Sequence, residues 1–211
     1  MLVLTLDAAL PGCSAGVVRN GAVLAERRMT GARGHAGALP AMAAAVLAEA
    51  GVGAAALSLV SVTVGPGSFT GLRAALSLAH GIGLAAGVPV VGVTVGEALD
   101  GPPDGPLGGR LHWTAVDTRR GRVFLEVAGQ VRSAGLDALP APSGPVRVSG
   151  DAAVAVVERL LGAGHDATVG TLAPDPAGIA AAALRRAEAG LAPRPAQPLY
   201  VDPPEARPLV I

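Results

Sequence analysis

The stretch Leu57–Val95, LSLVSVTVGPGSFTGLRAALSLAHGIGLAAGVPVVGVTV, constrains the fold of this chain more than any other. Its first run, Leu57–Val64, alternates and is rich in β-branched residues, which suits a strand buried in a sheet. Gly65-Pro66-Gly67 ends that strand, because proline withholds a ladder donor and glycine takes φ values that other residues resist. A side-chain oxygen of Ser68 or Thr70 caps a following helix, along which Leu72, Ala75, Leu76, Ala79, Gly83 and Ala86 recur on one face. Gly87-Val88-Pro89 stops the helix, and Pro89–Val93 is a second short apolar run. Two strands joined by a helix of this length make a right-handed parallel crossover, so the chain is of the α/β class.

The loop between strand and helix has two readings. Small residues before a helix leave several backbone N–H groups pointing outward, the arrangement that binds phosphate, and this makes Gly65, Gly67, Ser68, Thr70 and Gly71 candidate anion-binding residues. The same residues serve equally as a tight turn that packs helix against sheet. The Gly-Lys-Ser/Thr ending of a nucleotide P-loop is missing, and no G-x-G-x-x-G fingerprint replaces it. Asp7, at the tip of the first apolar run Leu2–Asp7, carries a similar pair of readings. It is either a phosphate- or metal-facing carboxylate or a strand-end acid that accepts bonds from nearby backbone N–H groups.

Because aromatic residues make up only 2% of a chain that is 51% hydrophobic with mean hydropathy +0.51, the core has to be built from small aliphatic groups at close backbone approach. All 16 basic residues are arginines and balance 16 acids, which argues against a nucleic-acid footprint carried by this chain alone. The single cysteine, Cys13, excludes an internal disulfide and reads as a small buried hydrophobe. Two long uncharged stretches, Ala50–Leu72 and Ala74–Gly96, are broken by Gly-Pro-Gly and by Gly87-Val88-Pro89, and so read as core and not as membrane spans. With its first positive charge at Arg19, the N-terminus lacks the basic region of a signal peptide, and a cytoplasmic protein is expected.

Along the rest of the chain, Cys13–Val18 and Ala22–Arg28 are strands around the hairpin signal Asn20-Gly21. Leu39, Met42, Ala43 and Val46 share one face of a helix that begins near His35 and ends at Gly51. His35 has no second histidine or cysteine at ligand spacing and is a poor metal candidate. The Gly- and Pro-rich segment 101–109 marks a boundary between a first unit, 1–100, and a second, 110–211. In the second unit Leu111–Asp117 and Arg122–Ala128 pair around the Thr118–Gly121 turn, Val146–Ser149 is a strand, and Asp151 caps a helix over Asp151–Leu161. Another helix covers Ala177–Ala189, and the proline-rich tail from Leu191, with Pro193, Pro195, Pro198, Pro203, Pro204 and Pro208, lies extended. Two halves with strands first and helices later suggest a duplicated α/β unit, although no internal sequence repeat is visible. No nucleophile elbow, paired histidines or paired carboxylates at helical spacing supply catalysis.

The run Gly65-Pro-Gly-Ser-Phe-Thr-Gly-Leu-Arg73, with its small-residue helix and Val90-Val-Gly-Val-Thr, resembles the TsaB (YeaZ) family of bacterial tRNA-modification subunits. Leu4-Thr-Leu-Asp7 with Cys13-Ser14, His35 with Leu39-Pro40, Ala115-Val-Asp-Thr-Arg119 with Val123-Phe124, and Pro198-Leu-Tyr-Val201 extend the resemblance over nearly the whole chain. It implies an actin-like ATPase (ASKHA) fold of two RNase-H-like subdomains, each a mixed sheet flanked by helices. It also implies a non-catalytic partner of TsaD, the paralogue that transfers threonylcarbamoyl to the adenosine beside the anticodon of tRNAs reading ANN codons. A TsaE-like ATPase joins the complex, and tRNA is met only through it. This chain alone then binds no cofactor or metal, whereas ATP or ADP can be held in the complex with TsaD. The side of the helix after the glycine loop that carries Ala74, Leu78, Gly81 and Ala85 is nearly as apolar as its first face, and a helix apolar on two sides must bury both. With Arg73, and with His35, Leu39 and Met42 of the preceding helix, it is the expected partner interface, for TsaD or for a homodimer when TsaD is absent, as the resemblance also suggests.

Four features depart from the family pattern. Val95 and Leu99 stand where TsaD-like proteins carry a metal-binding histidine pair, Ala8 replaces a threonine, Arg122 a glutamate, and Asp202 an arginine. The alternative to a partner subunit is a small kinase or ATPase of the same superfamily that uses Asp7 and the glycine loop.

Overall fold

The computed structural model describes residues 1–31, 34–100 and 109–202. The first lobe opens with β1 (Leu2–Asp7), β2 (Gly12–Arg19) and β3 (Ala22–Thr30), and Asn20 and Gly21, with φ of 49° and 85°, form the tight turn that the Asn-Gly pair demands. Helix α1 (His35–Glu49) leads through a 3-10 turn at Ala54–Ala56 to β4 (Leu59–Gly65). Helix α2 (Phe69–Ala86), β5 (Val90–Thr94) and the short α3 (Val95–Leu99) follow. The sheet order is β3-β2-β1-β4-β5, with β1 antiparallel to β2 and parallel to β4, and β4 parallel to β5.

The second lobe contains β6 (Leu111–Asp117), β7 (Arg122–Val127), β8 (Gln130–Gly135), β9 (Val146–Ser149), α4 (Ala153–Gly162) and β10 (Ala167–Val169). Its order, β10-β9-β6-β7-β8, is the first sheet read from the other end, again an antiparallel meander with parallel strands added beside its first member. The chain is therefore a structural duplication with two mixed sheets, the actin-like ATPase architecture. One core lies between the first sheet and α1–α2, built on Leu4, Leu6, Leu39, Val46, Val60 and Val62. A second lies under α4 around Trp113, Leu125, Val148 and Val156.

The last helix, α5 (Pro176–Glu188), crosses back to the first lobe. Ile179, Ala182 and Ala183 bury against Val91, Val93 and Ala98, and Ala180 against Val3, Val18 and Leu59. The first sheet is thus covered on both faces, and a second unit running unbroken from 110 to 211 does not describe the packing. The described part of the tail, residues 191–202, carries no helix or strand and is seated on the first lobe. The Gly92 N–H donates to Arg194 O at 2.9 Å, the Leu199 N–H donates to Val64 O at 2.8 Å, and Ala196 is buried. The linker residues 101–108 and Pro203, Pro204 and Pro208 lie outside the described residues.

Other local expectations are shifted. Leu57 and Ser58 precede β4, which begins at Leu59. Helix α4 starts at Ala153 with Ala152 at its cap and no side-chain capping bond. Asp151 is unavailable as a cap because its carboxylate accepts the Asp117 N–H at 2.9 Å and an Arg119 Nη2–H at 2.9 Å. The strands β8 and β10 and the helix α3 are additions to the sequence reading.

Candidate functional site

The residues that follow the tips of β1 and β4, Ala9, Leu10, Gly67 and Ser68 among them, line a cleft between the lobes, with the strand tips behind them. Asp7 is buried there, and its Oδ1 accepts the Thr63 hydroxyl at 2.5 Å and the Ala9 N–H at 3.0 Å. The first bond ties β1 to β4, and the second closes the Ala8–Ala9 turn in the way a strand-end acid does. The glycine loop then packs onto that turn. A Cβ on Gly67 would collide with Ala9 O, and one on Gly71 with Ala8 O. The Ser68 N–H donates to Ala9 O at 2.7 Å, and the Leu72 N–H donates to Ser68 O at 2.9 Å. Of the two proposed caps, Ser68 serves α2: its Oγ accepts the Gly71 N–H at 3.2 Å, while Thr70 is exposed. Gly65 lies beside Leu72 and the tail carbonyl of Leu199. Within the loop the Ser68 and Gly71 N–H groups are thus engaged by Ala9 O and Ser68 Oγ, and the glycines let the loop backbone approach the Ala8–Ala9 backbone within van der Waals contact.

The cleft encloses about 1110 Å³, lined by Leu10, Leu72, Phe69, Phe124, Tyr200 and Arg119 among others. On one rim the Arg73 guanidinium lies 3.7 Å from the Phe69 ring centroid and donates to the Tyr200 hydroxyl at 3.0 Å. On the other rim Arg119, at φ 60°, bridges Asp117 and Asp151 at 2.9 Å each. Burial pushes the Asp151 carboxyl up, against the Asp117 N–H and the Arg119 charge. Asp202 stands exposed at the mouth.

Val95 and Leu99 also acquire a role here. Both are buried and pack with Ala9, Leu10 and Leu72 of the first lobe and Val116 of the second, so α3 carries an apolar seam between the lobes. Helix α3 is held by a capping box, with the Glu97 N–H donating to Thr94 Oγ1 at 3.0 Å and the Thr94 N–H to Glu97 Oε2 at 2.8 Å. Glu97 also receives Arg194 at 2.8 Å and Arg186 at 3.1 Å, which fastens α3 to α5 and the tail. Burial raises the Glu97 carboxyl, but the Arg194 hydrogen bond, the Thr94 N–H and both arginine charges outweigh it, and its pKa falls below the usual carboxylate value.

The expected partner-interface residues divide by burial. His35 opens α1. Leu39 is 0% exposed and belongs to the first-lobe core, so it presents nothing to a partner, because its face of α1 is the one lying on the sheet. Met42 is half-buried, with the Cys13 thiol 3.5 Å from its sulfur. Cys13 is itself buried, and burial followed by the Asp7 charge pushes its thiol up. Arg73 is exposed but engaged with Phe69 and Tyr200. Ala74 and Leu78 are half-buried, Leu78 against the core beside α1. Gly81 and Ala85 are exposed, and nothing lies within 4 Å of a Cβ built on Gly81. Next to them is Leu84, 86% exposed, which the sequence reading passed over although it lies three residues from Gly81 on the same outward side of α2. Ala41, Ala44 and Ala48 of α1 and Ser77 of α2 are exposed as well. Ala8 is buried behind the loop, and Arg122 bonds the Ser133 hydroxyl at 2.8 Å.

Comparison with known proteins agrees with this geometry. The family model described as TsaD, tRNA N6-adenosine threonylcarbamoyltransferase, matches residues 24–132. An uncharacterized protein of Mycobacterium bovis is 36% identical over 218 residues, covering 99% of this chain and 95% of its own length. The tRNA threonylcarbamoyladenosine biosynthesis protein TsaB of Escherichia coli is 28% identical over 124 residues, 59% of this chain and 53% of that protein. The structure of YeaZ from Pseudomonas aeruginosa superposes with a TM-score of 0.76 at 23% identity, covering 94% of this chain and 99% of that one.

Proposed function

Because the chain belongs to the TsaB (YeaZ) family of TsaD-like proteins, we propose that it is a non-catalytic partner subunit in tRNA threonylcarbamoyladenosine biosynthesis. Its role is to support a TsaD-like protein in transferring threonylcarbamoyl to the adenosine next to the anticodon of tRNAs reading ANN codons. In this reading it works in the cytoplasm, a TsaE-like ATPase joins the complex, and tRNA is contacted only through the assembly. The chain alone carries no cofactor, and ATP or ADP is held only in the complex with TsaD.

The observation that carries the reading is the exposed small residues of the two packed helices, Gly81 and Ala85 with Leu84 on α2 and Ala41, Ala44 and Ala48 on α1. Two adjacent helices with such short side chains accept further helices at the close end of the roughly 8–10 Å range for packed helix axes. The same residues serve a homodimer when TsaD is absent. A kinase or ATPase would use Asp7 and the loop N–H groups for phosphate, whereas Asp7 Oδ1 here accepts from Thr63 and Ala9, and the Ser68 and Gly71 N–H groups donate to Ala9 O and Ser68 Oγ. Calorimetric titration with a TsaD-like protein tests the proposal. Gly81→Glu and Ala85→Glu place a charge where it leaves the fold intact and should weaken binding by about 2 kcal/mol or more, roughly thirtyfold. Wild-type affinity in both folded variants would move the interface elsewhere.

A further inference from the structure

The seam between the lobes contains an ionisable group without a function in the reading above, Glu126. Glu126 projects from β7 of the second lobe, opposite Thr114 of β6, and reaches β5 and α3 of the first. The residue is 9% exposed. Its Oε1 accepts the Thr94 hydroxyl at 3.5 Å, while Oε2 is buried with no well-aligned hydrogen bond among the described residues, the Gly96 N–H beside the carboxyl favouring its charged form only slightly. The carboxyl lies against Gly96, where a Cβ would collide with it, so glycine at that position makes room for this contact between the lobes. The charged groups facing it are Glu97 of α3 and Arg194 of the tail, and both arginines near Glu97, Arg186 and Arg194, are bonded to that acid. A buried carboxylate with a poorly bonded oxygen next to a second carboxylate is costly, whereas the neutral acid is tolerated.

We propose that Glu126 is a protonation-controlled latch between the two lobes: the neutral carboxyl lets the second lobe seat on Thr94 and Gly96, and its ionisation against Glu97 loosens the cleft. Burial, followed by the Glu97 charge, pushes the Glu126 carboxyl up, while Arg194, the Thr94 hydroxyl and the Gly96 N–H pull the other way. Since the folded value lies above the ordinary 4.5, the closed seam is favoured at low pH and loses that advantage as pH rises through the folded value.

The test compares the full chain with Glu126→Gln, and with Glu126→Met should the amide not be accommodated; Glu158→Gln on the exposed side of α4 is the control. Spin labels on Ser77→Cys of α2 and Val154→Cys of α4 report the separation of the lobes, since both positions are exposed and Cys13 is buried. Between about pH 4 and 8 the wild-type and control chains should lengthen their inter-label distance and lose thermal midpoint in one step, and the Glu126 variants should lose that step in both readouts. A distance that does not change in the wild type, or Glu126 variants that keep its full pH response, would overturn the latch.

Discussion

Single side chains beside the cleft tie together the elements of the first lobe, Asp7 joining β1 to β4 and Glu97 joining α3 to α5 and the tail. Their contributions are measurable one at a time. The buried Asp7 carboxylate depends on the Thr63 hydroxyl, 2.5 Å away. Thr63→Val keeps the volume but strips a donor from a buried acid, and should destabilise the chain by about 1–3 kcal/mol in urea unfolding. Glu97 offers a pH-dependent counterpart. Its pKa is lowered in the fold, so its contribution is present above the unfolded carboxylate value and is lost as pH falls through the folded one. Glu97→Gln should therefore cost about 2 kcal/mol near pH 7, leaving Arg186 and Arg194 poorly paired, and the gap to wild type should shrink on acidification below about pH 4.5. Denaturant midpoints across that range check the sign.

Among the elements, the strand–loop–helix–strand unit and its glycines were legible because punctuation and periodicity act locally. Gly65-Pro-Gly ends β4, and Leu72, Ala75, Leu76, Ala79 and Gly83 are the buried side of α2. What the glycines were for was not legible, since Gly67 and Gly71 meet the carbonyls of Ala8 and Ala9, about sixty residues earlier in the chain. Gly71→Ala should consequently destabilise by about 1–3 kcal/mol through overpacking. Gly81→Ala, on the open side of the same helix, should stabilise the free chain by about 0.5–1 kcal/mol, because nothing surrounds its Cβ and the helix interior prefers alanine. Thermal scans of the two variants should move in opposite directions. Helix α3 escaped the sequence reading because five residues carry no period, and its Val95 and Leu99 became intelligible only as fillers of the seam between lobes. Leu39 was assigned to a partner because an apolar helix face gives no sign of whether sheet or second chain covers it.

In the molecule as a whole, the duplication suggested by strands first and helices later in each half is plain in strand order, while no sequence repeat marks it, because the two halves share topology and their cores are filled by different residues. The return of α5 and the tail to the first lobe was hidden, since Ile179, Ala182 and Ala183 form an apolar helix face compatible with either sheet. The resulting object has a glycine loop packed on the Ala8–Ala9 turn, a tail seated on the first lobe and an exposed side of small residues on α1 and α2. That combination suits a subunit that acts by being bound. Reconstituted threonylcarbamoyl transfer to tRNA tests this most directly, with a TsaD-like protein, a TsaE-like ATPase and threonylcarbamoyl-AMP, with and without this chain. Modification should require the chain, survive Asp7→Asn, which keeps an oxygen for Thr63 and Ala9, and fall at least tenfold with Ala85→Glu at limiting chain concentration. Transfer that proceeds equally without the chain, or that is abolished by a folded Asp7→Asn variant while Ala85→Glu has no effect, would contradict the account.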